Sequence, residues 1–300
     1  MGNSNAKVSL LGLGRMGEPM ARNILSKLGS LTVWNRSSAA TARMESLGAN
    51  VAITPREAAA EITLTVLPDL SDVEALLDGP DGLLAGWQDA GFHCPILVVH
   101  GTVSPVKVAT LAAKLLAEHG VWLVDAPMSG GTIGAENGTL SIMLGGHAEV
   151  VSDLDSVMNA VGTTVRYFGP VGSGELAKAC NQIVVAGTIA AISEAMFLAQ
   201  ESGLDKSVLL EILRGGLANS EILRQKGDNW ANYSFVAGGS AKNQLKDLRF
   251  VREAEVKIGV DLPTTNTVAD LFERMIEAGL GELDHTGLFA FLSSQHENAK

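Results

Sequence analysis

Val8-Ser9-Leu10-Leu11 runs without interruption into Gly12-Leu13-Gly14-Arg15-Met16-Gly17, and across residues 16–28 the apolar positions return at helical spacing. A short apolar strand, a turn with three glycines and a helix make one unit. The first glycine permits the tight turn, the second lets backbone approach a pyrophosphate, and the third lets the helix lie close against the strand. Amides at the helix start then face the anion. This context predicts a dinucleotide-binding βαβ unit, with a purely structural glycine turn as the alternative.

Outward from that turn, short apolar runs alternate with amphipathic ones. Strands are predicted at 8–11, 31–34, 49–52, 62–67, 96–100, 122–125, 139–144 and 164–168, and helices at 16–28, 39–47, 72–77, 105–119 and 148–160. Such alternation builds parallel sheets from crossover units. After Gly169-Pro170-Val171-Gly172-Ser173-Gly174 the strand signal stops: one long apolar helix spans 175–200, and others follow at 206–214, 221–230, 241–258, 264–278 and 284–293. The expected fold is α/β, with a Rossmann-type doubly wound sheet over residues 1–168 and an all-helical domain over 169–300, joined by the long helix.

Composition narrows the function classes. The 300 residues carry 33 acidic and 22 basic side chains, a net charge of −11, which repels phosphate backbones and anionic lipid. Neither nucleic acid nor a membrane is an expected partner. Two cysteines, Cys94 and Cys180, form no disulfide framework or metal motif and suit a reducing compartment. The first residues lack a signal-peptide pattern, and the apolar runs read as broken by Gly, Thr or charge short of a membrane span, so a cytoplasmic protein is expected.

About twenty residues beyond the glycine turn, an NAD site would place an acid against the ribose hydroxyls. Asn35, Arg36 and Ser37 stand there instead. A guanidinium pairs with a 2′-phosphate and a short hydroxyl donates to it, so the expected cofactor is NADP. Arg36 as a plain surface arginine is the alternative.

Two further stretches carry chemistry. Asp125-Ala126-Pro127-Met128-Ser129-Gly130-Gly131, continuing to Leu140, puts a hydroxyl and bare backbone amides at the carboxyl end of a strand, where open α/β sheets bind ligands. Ser129, Gly130 and Gly131 would converge on a carboxylate; a linking turn is the alternative. In Gly172-Ser173-Gly174-Glu175-Leu176-Ala177-Lys178-Ala179-Cys180-Asn181, Lys178 and Asn181 share a helix face. Near a helix start and among small apolar neighbours, the Lys178 ammonium would be disfavoured and its proton made available. It would serve as general acid or base while Asn181 orients the substrate oxygen.

Together these stretches resemble the β-hydroxyacid dehydrogenase family, the relatives of 3-hydroxyisobutyrate dehydrogenase, tartronate semialdehyde reductase and glyoxylate/succinic semialdehyde reductase. Four motifs match in order: the cofactor turn from Gly12 to Ala21, the substrate stretch from Asp125 to Leu140, the catalytic stretch from Gly172 to Asn181, and Lys246-Asp247-Leu248. The resemblance implies a catalytic Lys178, substrate held by Ser129, Gly130, Gly131 and Asn181, and Lys246 reaching cofactor or substrate. It further implies that Leu67, Pro68 and Thr102 line the nicotinamide ribose, and that subunits pair through their helical domains as a homodimer or homotetramer.

The chain departs from the family's wording twice. Lys242 lies one helical turn before Lys246, so two ammoniums would attract a doubly charged group such as a phosphonate or sulfonate; Lys242 in solvent is the alternative. His100 stands before Gly101-Thr102 where an acidic or small polar residue is usual, and reads as a structural strand-end histidine or a ligand contact. The expected activity is NADP-dependent hydride transfer at the hydroxyl or carbonyl carbon of a small anionic substrate, with no metal called for. An imine reductase of this architecture and a non-catalytic NADP-binding module are the rivals.

Overall fold

The computed structural model describes residues 6–236 and 238–297, and the chain divides into two compact units, Met1–Lys178 and Ala179–Lys300. In the first unit, strands β1 (Val8–Leu11), β2 (Thr32–Trp34), β3 (Asn50–Val51), β4 (Ile62–Thr65), β5 (Ile96–Val99) and β6 (Trp122–Asp125) pair in parallel in the order β3-β2-β1-β4-β5-β6. Helices α1 (Gly17–Leu28), α2 (Ser38–Ser46), α3 (Leu70–Glu74), α4 (Leu83–Asp89) and α5 (Pro105–His119) occupy the connections. The order reverses between β1 and β4, so a crevice opens there at the carboxyl ends of the strands.

Both sheet faces are covered, which explains the unbroken apolar runs. Leu10, Leu64 and Val98 pack with Met20 and Ile24 of α1, while their neighbours Leu11, Leu97 and Val99 pack with Val108 and Leu111 of α5. Successive strand residues point to opposite faces, so each run serves two cores. The α4 helix was not expected: it is short and carries Gly86, whose Cβ would lie 2.2 Å from the Arg56 carbonyl oxygen.

Past β6 the parallel pattern breaks. Strands β7 (Met128–Ser129) and β8 (Leu140–Gly145) are separated by helix α6 (Gly131–Asn137), and β8 runs antiparallel to both β6 and β7. The reason is that β6 and β7 act as one interrupted strand with β8 folded back on it, and a hairpin is antiparallel by construction. Helices α7 (Ala148–Ser152) and α8 (Asp155–Val161) replace the single helix predicted there, and β9 (Gly162–Gly169) returns parallel to β8.

Helix α9 (Ser173–Glu201) begins in the first unit and continues into the second. By length and composition alone it is apolar enough to cross a membrane, contrary to the reading of broken apolar runs. Its Ile189, Ile192 and Met196 belong to the core of the helical unit. That unit continues with α10 (Lys206–Gly215), α11 (Glu221–Ala231), α12 (Ala241–Ile258), α13 (Pro263–Glu277), a 3-10 turn at His285–Gly287, and α14 (Leu288–Glu297). Trp230, Phe272, Phe289 and Phe291 fill its centre, and Trp230 Nε1 donates to Ser193 Oγ at 3.1 Å. Asp284 ties the segment before α12 in place, its Oδ2 accepting from Gly238 N at 3.0 Å, Gly239 N at 3.1 Å and Lys226 Nζ at 2.5 Å.

Candidate active site

The turn after β1 is built so that only glycine fits two of its three positions. Gly12 holds φ at +101°, and a Cβ there would lie 2.5 Å from the Val66 carbonyl oxygen. On Gly17 a Cβ would lie 1.8 Å from the Gly12 carbonyl oxygen. Gly14 is different: a Cβ there would meet nothing within 4 Å, and the residue is exposed. Packing therefore explains Gly12 and Gly17, whereas at Gly14 the open space is what a dinucleotide phosphate would fill, beside the start of α1.

At the end of β2, the Asn35 side chain is committed to the protein. Its Oδ1 accepts the Leu13 N–H at 2.9 Å, while Nδ2 donates to the Ser37 carbonyl oxygen at 3.1 Å and to Ser37 Oγ at 3.0 Å. Asn35 thus braces the glycine turn against the loop that carries Arg36. Arg15, Arg36 and Ser37 are exposed around the turn, and Met16 is half-buried. Glu18, on the first turn of α1, joins that helix to α2 through Arg43 at 2.6 Å and also pairs with Arg22 at 2.5 Å. The Arg43 guanidinium, with Arg22 assisting against burial, holds the Glu18 carboxyl down at about 2.

The ends of β4 and β5 meet backbone to backbone, since a Cβ on Gly101 would lie 2.1 Å from the Leu67 carbonyl oxygen. Leu67 and Thr102 are half-buried there and Pro68 is exposed. His100 is only 2% exposed, and its Nδ1 lies 2.8 Å from the Ala126 carbonyl oxygen. A carbonyl only accepts, so Nδ1 carries the proton. Burial, opposed by that bond, pushes the imidazole down to about 4 and keeps it neutral near pH 7. Its Nε2 is enclosed with no hydrogen-bond partner among the described residues. The enclosed ring braces the residue after β6, which is the structural one of its two readings.

Ser129 pairs with Ser141 in the β7–β8 ladder and is half-buried. Gly130 and Gly131 follow with φ of +129° and +63°, and α6 starts at Gly131 where an open turn was expected. On α9, Lys178 is 7% exposed and Asn181 lies one turn further on, its Oδ1 buried and without a hydrogen-bond partner among the described residues. Asp125 and Glu175, to which sequence reasoning gave no role, are both buried beside the start of α9. Their one sequence signal is an acid placed within an otherwise apolar or small-residue run.

Within the helical unit, Lys246 Nζ lies 4.0 Å from Asp247 Oδ1 and 5.7 Å from the Phe250 ring centre. Gln182 Nε2 donates to Asp247 Oδ2 at 2.6 Å, tying α9 to α12. Lys242 is exposed and ion-paired with Glu282, in keeping with its solvated reading.

A mostly parallel sheet with a glycine turn at its switch point, a basic loop after β2 and a buried lysine on a helix tied to the end of β6 are the parts of a nicotinamide-dinucleotide oxidoreductase. Known proteins agree. The NAD binding domain of 6-phosphogluconate dehydrogenase matches residues 7–169, and the NAD-binding domain of NADP-dependent 3-hydroxyisobutyrate dehydrogenase matches residues 172–292. The 2-hydroxy-3-oxopropionate reductase of Escherichia coli is 34% identical over 94% of this chain and 95% of its own. A probable 3-hydroxyisobutyrate dehydrogenase-like protein of Arabidopsis thaliana is 33% identical over 96% of this chain and 88% of its own. The crystal structure of 3-hydroxyisobutyrate dehydrogenase from Salmonella typhimurium superposes with a TM-score of 0.85, at 25% identity, covering 95% of this chain and 99% of that one. The chain belongs to the β-hydroxyacid dehydrogenase family and is an NAD(P)-dependent enzyme acting on CH–OH groups.

Proposed function

We infer that this enzyme uses NADP and interconverts a small hydroxy acid with the corresponding semialdehyde or ketone, Lys178 serving as general acid in reduction and general base in oxidation. The observation that carries the reading is a lysine only 7% exposed on the helix whose start is anchored to the carboxyl edge of the sheet. The bound cofactor supplies the hydride at its nicotinamide C4. Lys178 gives a proton to the carbonyl oxygen as hydride arrives at carbon, and takes it back in oxidation. Asn181, with a buried side-chain oxygen and an amide that stays neutral at every pH, orients that oxygen. Ser129 and the backbone at Gly130 and Gly131 receive the carboxylate. The resemblance adds Lys246 as a ligand contact.

NADP is favoured over NAD because no carboxylate stands at the end of β2, where Arg36 and Ser37 are exposed instead. The E. coli relative, named for reduction of 2-hydroxy-3-oxopropionate, supports a carboxylate-bearing aldehyde as substrate. Lys242 is exposed beside Glu282, and a phosphonate or sulfonate in place of the carboxylate would give it a role. Parallel initial rates with NADPH and NADH on glyoxylate, succinic semialdehyde and 2-hydroxy-3-oxopropionate test the reading.

A homodimer or homotetramer is the accompanying assignment. In the helical unit Val208 and Ile212 lie one turn apart on α10 and are 56% and 70% exposed, with Leu198 at 68%. Exposed apolar groups in such numbers are covered by a second copy. Light scattering across concentrations checks this, and a monomer throughout would contradict it.

A further inference from the structure

Asp125 ends β6 with no solvent exposure, and none of the steps above uses its carboxylate. It is set among glycines. A Cβ on Gly145 would lie 2.4 Å from Asp125 Oδ1, and one on Gly174 would lie 2.9 Å from Oδ2. Within that pocket Oδ1 accepts the Gly172 N–H at 2.8 Å and Oδ2 accepts the Glu175 N–H at 2.8 Å. The amides of a helix's first turn have no partner within the helix, and negative charge is favoured beside them. A strand residue far back in the sequence therefore supplies the cap of α9.

The same turn is held a second time, because Glu175 Oε2 accepts the Val103 N–H at 3.1 Å, just past Thr102. Both ties end one helical turn before Lys178. In the other direction, Asp125 leads through Ala126, Pro127 and Met128 into Ser129, and the Ala126 carbonyl is fixed by His100. One carboxylate thus joins the turn offered to the substrate's anionic group to the helix start that carries the proton donor.

We propose that Asp125 is a positioning residue: its carboxylate fixes Lys178 relative to the 129–131 turn, so that the ammonium stands at the reacting oxygen. The proposal rests on the reading of Lys178 as acid and base. In Asp125→Asn, the amide nitrogen replaces one acceptor and confronts a backbone N–H, so one tie is lost and the helix start shifts. A misplacement of about 1 Å at a reacting group costs on the order of 100-fold in rate.

The test compares wild type, Asp125→Asn, Gly145→Ala and Lys178→Ala for kcat, KM, the solvent deuterium isotope effect on kcat and NADPH dissociation. In Asp125→Asn we expect kcat to fall roughly 10- to 100-fold with KM and NADPH dissociation within about twofold, and the isotope effect to rise because proton transfer becomes limiting. Gly145→Ala crowds the carboxylate without removing it. It should show the same split, and it stands in if Asp125→Asn does not fold. Two results would overturn the proposal: an Asp125→Asn enzyme within about twofold of wild-type kcat, or variants whose kcat and NADPH affinity fall together with an unchanged isotope effect. Undiminished turnover in Lys178→Ala, by contrast, sinks the acid–base reading itself, and the role assigned to Asp125 with it.

Discussion

Asp125 and Glu175 are joined by a 2.8 Å hydrogen bond from the Glu175 amide to Asp125 Oδ2 across fifty positions of sequence, and this bond fastens the long helix to the sheet edge. Burial pushes the Asp125 carboxyl up to about 6, while N–H groups from Gly172, Glu175 and Gly174 pull it back toward ionisation. The lysine of the proposed chemistry sits one turn beyond this anchor, so it is presented by the end of a helix that the sheet itself holds.

Replacing Lys178 by Ala should lower kcat by about 100- to 10,000-fold, the usual worth of a positioned acid or base. Cofactor binding, measured by NADPH fluorescence, should stay within about twofold of wild type, because the glycine turn and the Arg36 loop are untouched.

At the end of β2, Arg36→Ala should weaken NADPH binding roughly 10- to 100-fold, the equivalent of one or two hydrogen bonds to a charged group, and leave NADH nearly unchanged. Equal losses for both cofactors in a calorimetric titration would assign Arg36 to the part they share.

The glycine turn separates packing from ligand space. Gly17→Ala drives a Cβ into the Gly12 carbonyl and should destabilise the protein by several kcal/mol, read as a lowered denaturation midpoint. Gly14→Ala meets open space, so its midpoint should stay within about 0.5 kcal/mol of wild type while cofactor affinity falls. A Gly14→Ala protein with unchanged NADPH affinity would remove the phosphate from this turn.

His100 gives stability a defined pH dependence. Its folded value is lowered from 6.5 to about 4, so it contributes stability that is present above 6.5 and lost as pH falls through 4. By linkage about 2 kcal/mol of that is gone by pH 5. Asp125 has the opposite sign: raised from 3.8 to about 6, it adds stability as pH falls below 6 and so offsets part of the loss. Urea midpoints between pH 7 and 4.5 should decline less in His100→Gln than in wild type.

Much of the fold was legible because its signals are local. The Gly12–Gly17 spacing, the two-faced apolar runs such as Ile96–Val99 and the abrupt end of strand signals after residue 169 each follow from backbone sterics or burial period. What stayed hidden depends on partners distant in sequence. Nothing near Asp125 announces that its acceptors meet Gly172 and Glu175, and nothing near Lys242 announces Glu282. The antiparallel turn of β8 escaped notice because a strand's direction is set by its partner, which its own residues do not name. Asn35 stands at the cofactor position in the sequence, and the structure adds that its side chain bonds to Leu13 and Ser37.

Hydride transfer with NADPH to a small carboxylate-bearing carbonyl compound is the activity proposed for this enzyme. Its most direct test is the rate of NADPH and NADH consumption, measured side by side on a panel of aldehydes and ketones bearing a carboxylate, phosphonate or sulfonate. We predict NADPH consumption at least about tenfold faster than NADH on a carboxylate aldehyde, the margin one guanidinium–phosphate contact supplies. Tight NADPH binding with no consumption on any member of the panel would contradict the account.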